Sequence, residues 1–254
     1  MSGHSKWKTI KHKKKAEDRK RSKLFTRLSR EITVAVREGG GGDPEFNFSL
    51  RMAIDRAKDA NMPKENIERA IKRGTGELSG GELESAMYES YAPHGIGILT
   101  QVLTDNTNRA VSDVRRVISR HGGSMAEAGG VSWQFERKGY ITLEPDGIDE
   151  DQAFEVAVEA GAEDIDFGDD LIEVYAAVDD FQPVQEAFEE AGIKTKASEL
   201  SMIPKNTLAL DEKESFKIMN IIEELEDLDD VQNVYSNLDI SDGLLEKYEA
   251  KKEE

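Results

Sequence analysis

The chain has 254 residues, no cysteine, and 34 Lys and Arg against 52 Asp and Glu, for a net charge of −18. Without cysteine there is no disulfide, no thiolate metal site and no cysteine nucleophile. No apolar run approaches the roughly 20 residues that span a bilayer, and the polar, basic start is not a secretory signal. Glu17 and Asp18 also interrupt what would otherwise resemble an acid-poor transit peptide. A cytoplasmic protein without membrane contact is expected.

The charge is polarised along the chain. Residues 1–30 carry +10 and the remainder −28. A body this acidic repels phosphate backbones at long range. Nucleic-acid contact is therefore expected to run through the N-terminal end, and the acidity of residues 150–254 is read as solubility.

In chain order, residues 1–22 lack a helical apolar stripe and are expected to form a mobile basic arm, helical near 13–22. An amphipathic helix begins near Lys23, with Leu24, Phe25, Leu28, Ile32, Ala35 and Val36 on one face. Gly39 stops it, and Gly39 to Gly42 read as a hinge between helices rather than a phosphate cradle. Asp43-Pro44 has the chemistry of a helix start, and Phe46, Leu50, Ala53, Ile54 and Ala57 give a second stripe. Pro63 breaks it. A short third helix carries Ile67, Ala70 and Ile71 and ends at Gly74, after which Gly74 to Gly81 read as a flexible linker.

The pattern then becomes α/β. Residues 84–91 and 96–103 read as a hairpin around Pro93-His94-Gly95. A helix with Ala110, Val111, Val114, Val117 and Ile118 follows, ending at Gly122-Gly123. Strands are expected at 131–136 and 139–144, a helix at 150–160, strands at 163–167 and 171–178, a helix at 181–191 and a strand at 195–203. From Tyr140 to Ile203 this is the β-α-β-β-α-β order of ferredoxin-like units. A strand at 207–210, a helix at 212–227 and a strand at 231–238 form half a unit, as does 84–121. The two halves are expected to complete each other, and residues 244–254 to fray. The fold class is α+β: an N-terminal three-helix domain, then two α/β domains, one ferredoxin-like and inserted into the other. The expected boundaries are 1–22 for the arm, 23–76 for the helical domain, 82–130 plus 205–240 for one α/β domain, and 131–204 for the other.

Enzyme signatures are missing. There is no Walker loop, no G-x-G-x-x-G between strand and helix, no H-E-x-x-H and no G-x-S-x-G. His4, His12, His94 and His121 lack metal-ligand spacing. Asp164 to Asp170 superficially suggest a calcium loop, but glycine and glutamate fall out of position, and a charged turn fits better. No catalytic residue, metal, cofactor or small-molecule substrate is expected.

The arm is different. His4, Ser5, Lys6, Trp7, Lys8, Lys11, His12, Lys13, Lys14 and Lys15, continued by Arg19, Lys20, Arg21 and Lys23, combine cations with one aromatic and small hydrogen-bonding groups. Cations neutralise phosphates and release counterions. Trp7 can stack on an unpaired base, or dock on the helical domain's apolar surface. His4 and Ser5 can donate to phosphate oxygens. Lys64, Arg69, Lys72 and Arg73 on the third helix extend this surface or form a solvated face. Asp105 to Arg109 open a helix, where capping and anion binding are both available readings. Trp133, in an alternating strand pattern, reads as core.

At these motifs the sequence resembles the YebC/PmpR family, which includes the mitochondrial translational activator of cytochrome oxidase. The resemblance is carried by Gly3-His4-Ser5-Lys6-Trp7, Ile10-Lys11-His12-Lys13, Lys23-Leu24-Phe25-Thr26, Asn61-Met62-Pro63-Lys64, Ile67-Glu68-Arg69-Ala70-Ile71, Tyr91-Ala92-Pro93-His94-Gly95, Leu103-Thr104-Asp105-Asn106 and Gly130-Val131-Ser132-Trp133. It implies a helical domain followed by two α/β domains, and a non-enzymatic cytoplasmic protein. It also implies one of two roles: DNA-binding transcriptional regulator, or ribosome-associated translation factor acting at difficult sequences such as proline runs.

The partner is expected to be nucleic acid, either DNA or ribosomal RNA in the ribosome. No recognition helix pair with a tight turn is expected, because the first interhelix connection, four glycines, is loose for a helix-turn-helix. A basic arm with one aromatic suits irregular RNA. A protein-interaction module with a basic tether is the third reading.

Overall fold

The computed structural model describes residues 17–78, 83–168 and 171–253, with the backbone alone for 17–22. Most of the arm and the glycine linker at 79–82 lie outside these residues.

Three helices come first: α1 (Glu17–Glu38), α2 (Phe48–Asp59) and α3 (Lys64–Gly74). The expected stripes meet in one core of Leu28, Ile32, Ala35, Val36, Leu50, Ala53, Ala57, Met62, Ile67 and Ala70. Two details differ from expectation. Asp43 does not cap a helix. Its carboxylate accepts from the Glu45 N–H at 2.9 Å, closing a local turn. The cap is the buried Asn47, which accepts from Leu50 N at 3.0 Å. Phe46 therefore precedes the helix and is 85% exposed.

The glycine run is likewise clamped rather than free. The Asn47 amide donates to the carbonyls of Ala35 and Gly41 at 2.8 and 2.9 Å. A Cβ at Gly39 would lie 2.2 Å from the Asn47 side chain. Gly74 ends α3, as expected, and is also the point where α3 touches α1. A Cβ there would sit 2.6 Å from Val36 and 2.9 Å from the Thr33 carbonyl.

The first α/β unit is an antiparallel sheet of order β3-β1-β2-β8, built from β1 (Glu84–Tyr91), β2 (Gly97–Thr104), β3 (Ser124–Met125) and β8 (Val231–Ser236). β2 pairs with β8 across the whole second unit, so the two half-units do complete each other. Helices α4 (Thr107–Arg120) and α7 (Glu212–Glu226) bury Val114, Ile118, Ile218 and Ile222 against Ile98, Val102 and Val234. The segment expected as a strand at 207–210 makes a single bridge, Leu208 to Leu238. The end expected to fray is a helix, α8 (Asp242–Glu253), held by buried Leu245 and Tyr248. The Tyr248 hydroxyl donates to Asn220 at 2.7 Å.

The second unit holds β4 (Phe135–Leu143), α5 (Glu150–Glu159), β5 (Ala162–Phe167), β6 (Ile172–Ala176), α6 (Phe181–Glu190) and β7 (Thr195–Pro204). Its sheet order, β5-β6-β4-β7, is the ferredoxin-like one. Ile141, Leu143, Ile172 and Val174 face α5 and α6. By alternation, Tyr140, Thr142, Glu173 and Tyr175 take the opposite face, and all four are buried. The Tyr140 hydroxyl donates to Glu173 at 2.5 Å, and burial pushes its pKa well above the ordinary value. The Asp164 to Asp170 segment, expected as a turn, is β5 through Phe167, with Gly168 N bonded to the Leu171 carbonyl at 3.0 Å; Asp169 and Asp170 lie outside the described residues.

The helical domain touches both units. Met52 joins the ferredoxin-like core, and the Phe48 ring meets that of Phe181 at 6.2 Å. Arg56 bridges Glu31 at 2.7 Å and Glu199 at 3.7 Å. A fourth cluster, Leu99, Val131, Phe135 and Tyr235, joins the two sheets.

Gly74→Ala is expected to destabilise the chain by about 1–3 kcal/mol through overpacking, read as a lower midpoint in urea. An unchanged midpoint would show that α1 and α3 separate freely.

Candidate nucleic-acid interface

The basic residues of α1 divide sharply by neighbour. Arg27 is half-buried, and its guanidinium donates to the Gln232 carbonyl. Burial lowers its pKa, against the opposing pull of Glu226, Glu31, Glu199 and Asp227. Arg30 donates to the Asp229 carbonyl at 2.7 Å, the Asp230 carboxylate at 3.0 Å and the Leu103 carbonyl at 3.3 Å. Asp230, 6% exposed, is held again by Arg109 at 2.8 Å and by the Thr104 hydroxyl at 3.0 Å. Lys23, a predicted nucleic-acid contact, donates to the Asp227 carbonyl at 2.8 Å. From Lys23 to Arg30, α1 is thus engaged with the α7–β8 connection, with Lys23 still exposed and Arg27 and Arg30 half-buried.

The α4 N-terminus behaves similarly. Asn106 accepts from Arg109 N at 3.0 Å as an ordinary N-cap. The Arg109 side chain is taken by Asp105 at 2.9 Å and by Asp230. N-capping by Asn106 and the Arg109 ion pairs thus occupy this cluster with contacts inside the protein.

α3 is the contrast. Ile67 and Ala70 bury its inner face. Lys64, Arg69 and Lys72 are exposed, and Arg73 is half-buried with its Nε lacking a hydrogen-bond partner. Lys64 makes one exposed pair, 3.7 Å from Glu68. After Glu68 the helix carries Arg69, Lys72 and Arg73 with no acid before its end. It also follows a tight connection, residues 60–63, in which Asn61 takes φ 56. The expectation that no helix pair with a tight turn exists is therefore corrected. The glycine run separates α1 from α2, while α2 and α3 are joined closely enough for a helix-turn-helix.

His4, Ser5, Lys6, Trp7, Lys8, Lys11, His12, Lys13, Lys14 and Lys15 lie outside the described residues. Arg19, Lys20 and Arg21 fall on the first turns of α1, so the basic segment feeds directly into that helix.

Trp133, read from sequence as core, is 65% exposed. Residues Ser132–Gln134 form a short helical turn rather than a strand. The cause is Glu89, whose carboxylate accepts from the N–H groups of Gly129, Val131 and Ser132 at 2.8, 2.6 and 2.8 Å. Burial alone would raise its pKa, but these donors outweigh burial and hold it below the ordinary carboxylate value. The signal available in the sequence was Gly129-Gly130, a turn marker placed just before the expected strand.

Among the described residues no group of three or more His, Asp or Glu could hold a metal ion, and no helix is long and apolar enough to cross a membrane.

Two family models match the chain, the TACO1/YebC N-terminal domain over residues 5–77 and the TACO1/YebC second and third domains over residues 83–238. The chain belongs to the TACO1/YebC family. A relative in Halothermothrix orenii is 50% identical over 97% of this chain and 98% of its own length, and one in Trichlorobacter lovleyi is 51% identical over 97% and 99%. Both are called probable transcriptional regulatory proteins, a regulator's description and not an enzyme's. The crystal structure of a conserved hypothetical protein from Aquifex aeolicus is also similar, with a TM-score of 0.83 and 44% identity over 92% of this chain and 96% of that one. The N-terminal family model spans both the arm and the three helices.

Two predictions separate the cations. Arg30→Met is expected to cost about 2–4 kcal/mol, because it strips a partner from buried Asp230, whereas Arg69→Ala changes stability by less than about 0.5 kcal/mol. Urea unfolding of both variants checks the contrast. Glu89→Gln is expected to cost about 1–3 kcal/mol at neutral pH. Because the folded pKa of Glu89 is lowered, its contribution is full above the unfolded carboxylate range and is lost as pH falls through the folded value. The difference between wild type and variant should therefore shrink on acidification; a difference independent of pH would contradict it.

Proposed function

We propose that this chain regulates gene expression by binding nucleic acid through its basic end, in the cytoplasm and without catalysis. The observation that carries this reading is the division of cations. Arg27 and Arg30 of α1 are engaged internally, while Lys64, Arg69 and Lys72 of α3 face solvent beside a helix that continues into the basic arm. The body behind them is strongly acidic, so the contact is one-sided and long-range repulsion limits wrong orientations.

Duplex DNA is the target favoured by the α2–α3 pair. An exposed basic helix after a tight turn has the form that enters a major groove, and the relatives' names agree with a transcriptional role. A second reading, RNA in the ribosome, is favoured by the arm, where Trp7 lies among lysines, a combination suited to unpaired bases.

Binding to duplex DNA and to ribosomes at the same stated salt decides between them. Tight, salt-resistant binding to ribosomes with weak, steeply salt-dependent DNA binding would overturn the transcriptional reading. In either case, changing Lys64, Arg69, Lys72 and Arg73 together to Gln is expected to weaken binding. It should also flatten the dependence of log K on log salt by about 0.7–0.9 for each phosphate no longer neutralised. An unchanged slope would remove α3 from the interface.

A further inference from the structure

Trp133 is the largest exposed aromatic side chain among the described residues, and its loop is built to hold it still. Glu89 gathers three backbone N–H groups of the loop. The Trp133 indole N–H donates to the Gly130 carbonyl at 2.9 Å, and the Tyr91 hydroxyl donates to the same carbonyl at 2.5 Å. Val131 and Phe135, on either side of the turn, are buried between the two sheets. The polar edge of the indole is thus tied down while the ring remains 65% exposed. A ring fixed in this way loses little further freedom when something stacks on it.

Its surroundings are polar. Lys205 N donates to the Gln134 carbonyl at 2.8 Å, which places Lys205 beside the turn, and Arg137 follows on β4. Both are exposed, and neither is in an ion pair among the described residues. The exposed carboxylates nearby are Glu127, in the loop itself, and Glu136, which is 3.5 Å from Lys138. Trp and Arg also anchor protein interfaces, so the test below reads self-association as well as nucleic-acid binding. A lone aromatic with unpaired cations is the arrangement that takes unpaired bases, through stacking and backbone attraction.

We infer that Trp133, with Arg137 and Lys205, forms a second nucleic-acid contact that stacks on an unpaired base of a single strand. The inference rests on the nucleic-acid reading above and places a contact away from the basic end. Gly97, at the start of β2, lies against Val131 and Gln134, whereas Arg30 binds the Leu103 carbonyl near the strand's other end. At about 3.3 Å per residue the Trp133 loop lies roughly 20 Å from the point where Arg30 docks α1 on the sheet.

The test uses the full chain with Trp7→Phe, so that tryptophan emission reports Trp133 alone, titrated with single-stranded oligoadenylate and with the duplex it forms with oligouridylate. The single strand is expected to quench the emission. Trp133→Ala should weaken single-strand binding roughly ten-fold, Trp133→Phe should keep most of the affinity, and duplex binding should not change. If Trp133→Ala binds like wild type and the emission stays constant, while deletion of residues 2–15 abolishes binding, the inference is overturned and the basic-end reading stands. If the intact chain binds neither form, both fail. Self-association that disappears in Trp133→Ala, with no effect on nucleic acid, would assign the ring to a protein contact and also overturn the inference.

Discussion

The structure depends on one knot of charge. Arg30 reaches from α1 to the Asp229 and Leu103 carbonyls and to the Asp230 carboxylate, which Arg109 and Thr104 hold from the other side. A nearly buried carboxylate is tolerated only with partners of this kind. Two cations meeting one buried anion, with carbonyls taking the remaining donors, fixes where the helical domain sits on the first sheet. Arg27 repeats the device one turn away, at the Gln232 carbonyl. The acidity of the α7–β8 connection therefore has a structural use beyond solubility.

This docking explains how one helix can be basic without being a nucleic-acid surface along its length. Lower α1 neutralises the acidic body. The exposed cations of α3 take no part in this contact. Because α3 is pinned to α1 through the Gly74–Val36 contact, the orientation of the exposed helix follows from the same knot.

Much of the fold was legible because burial leaves periodic marks. The stripes of α1 and α3, and the β-α-β-β-α-β order, follow from which positions must be apolar. The completion of one sheet across an insertion followed from counting strands without partners. The site was less legible. Charge alone could not separate Arg27 and Arg30, which bind carbonyls, from Lys64 and Lys72, which do not, since all sit on amphipathic helices. Nor could sequence see that Glu89 collects three N–H groups from a loop some 40 residues away and turns Trp133 outward; the alternation of Val131, Trp133 and Phe135 fits a strand equally well. Asn47 won the cap from Asp43 because its amide also closes the glycine run, a tertiary reason invisible to local rules.

The central claim is the division between engaged and available cations. Acylation of lysines by a small active ester, mapped by mass spectrometry with and without bound nucleic acid, tests it most directly. The account predicts protection on binding at the arm lysines and at Lys64 and Lys72, with Lys194, Lys213 and Lys217 labelled equally in both states. Protection at Lys213 and Lys217 with none at the arm or α3 would contradict it.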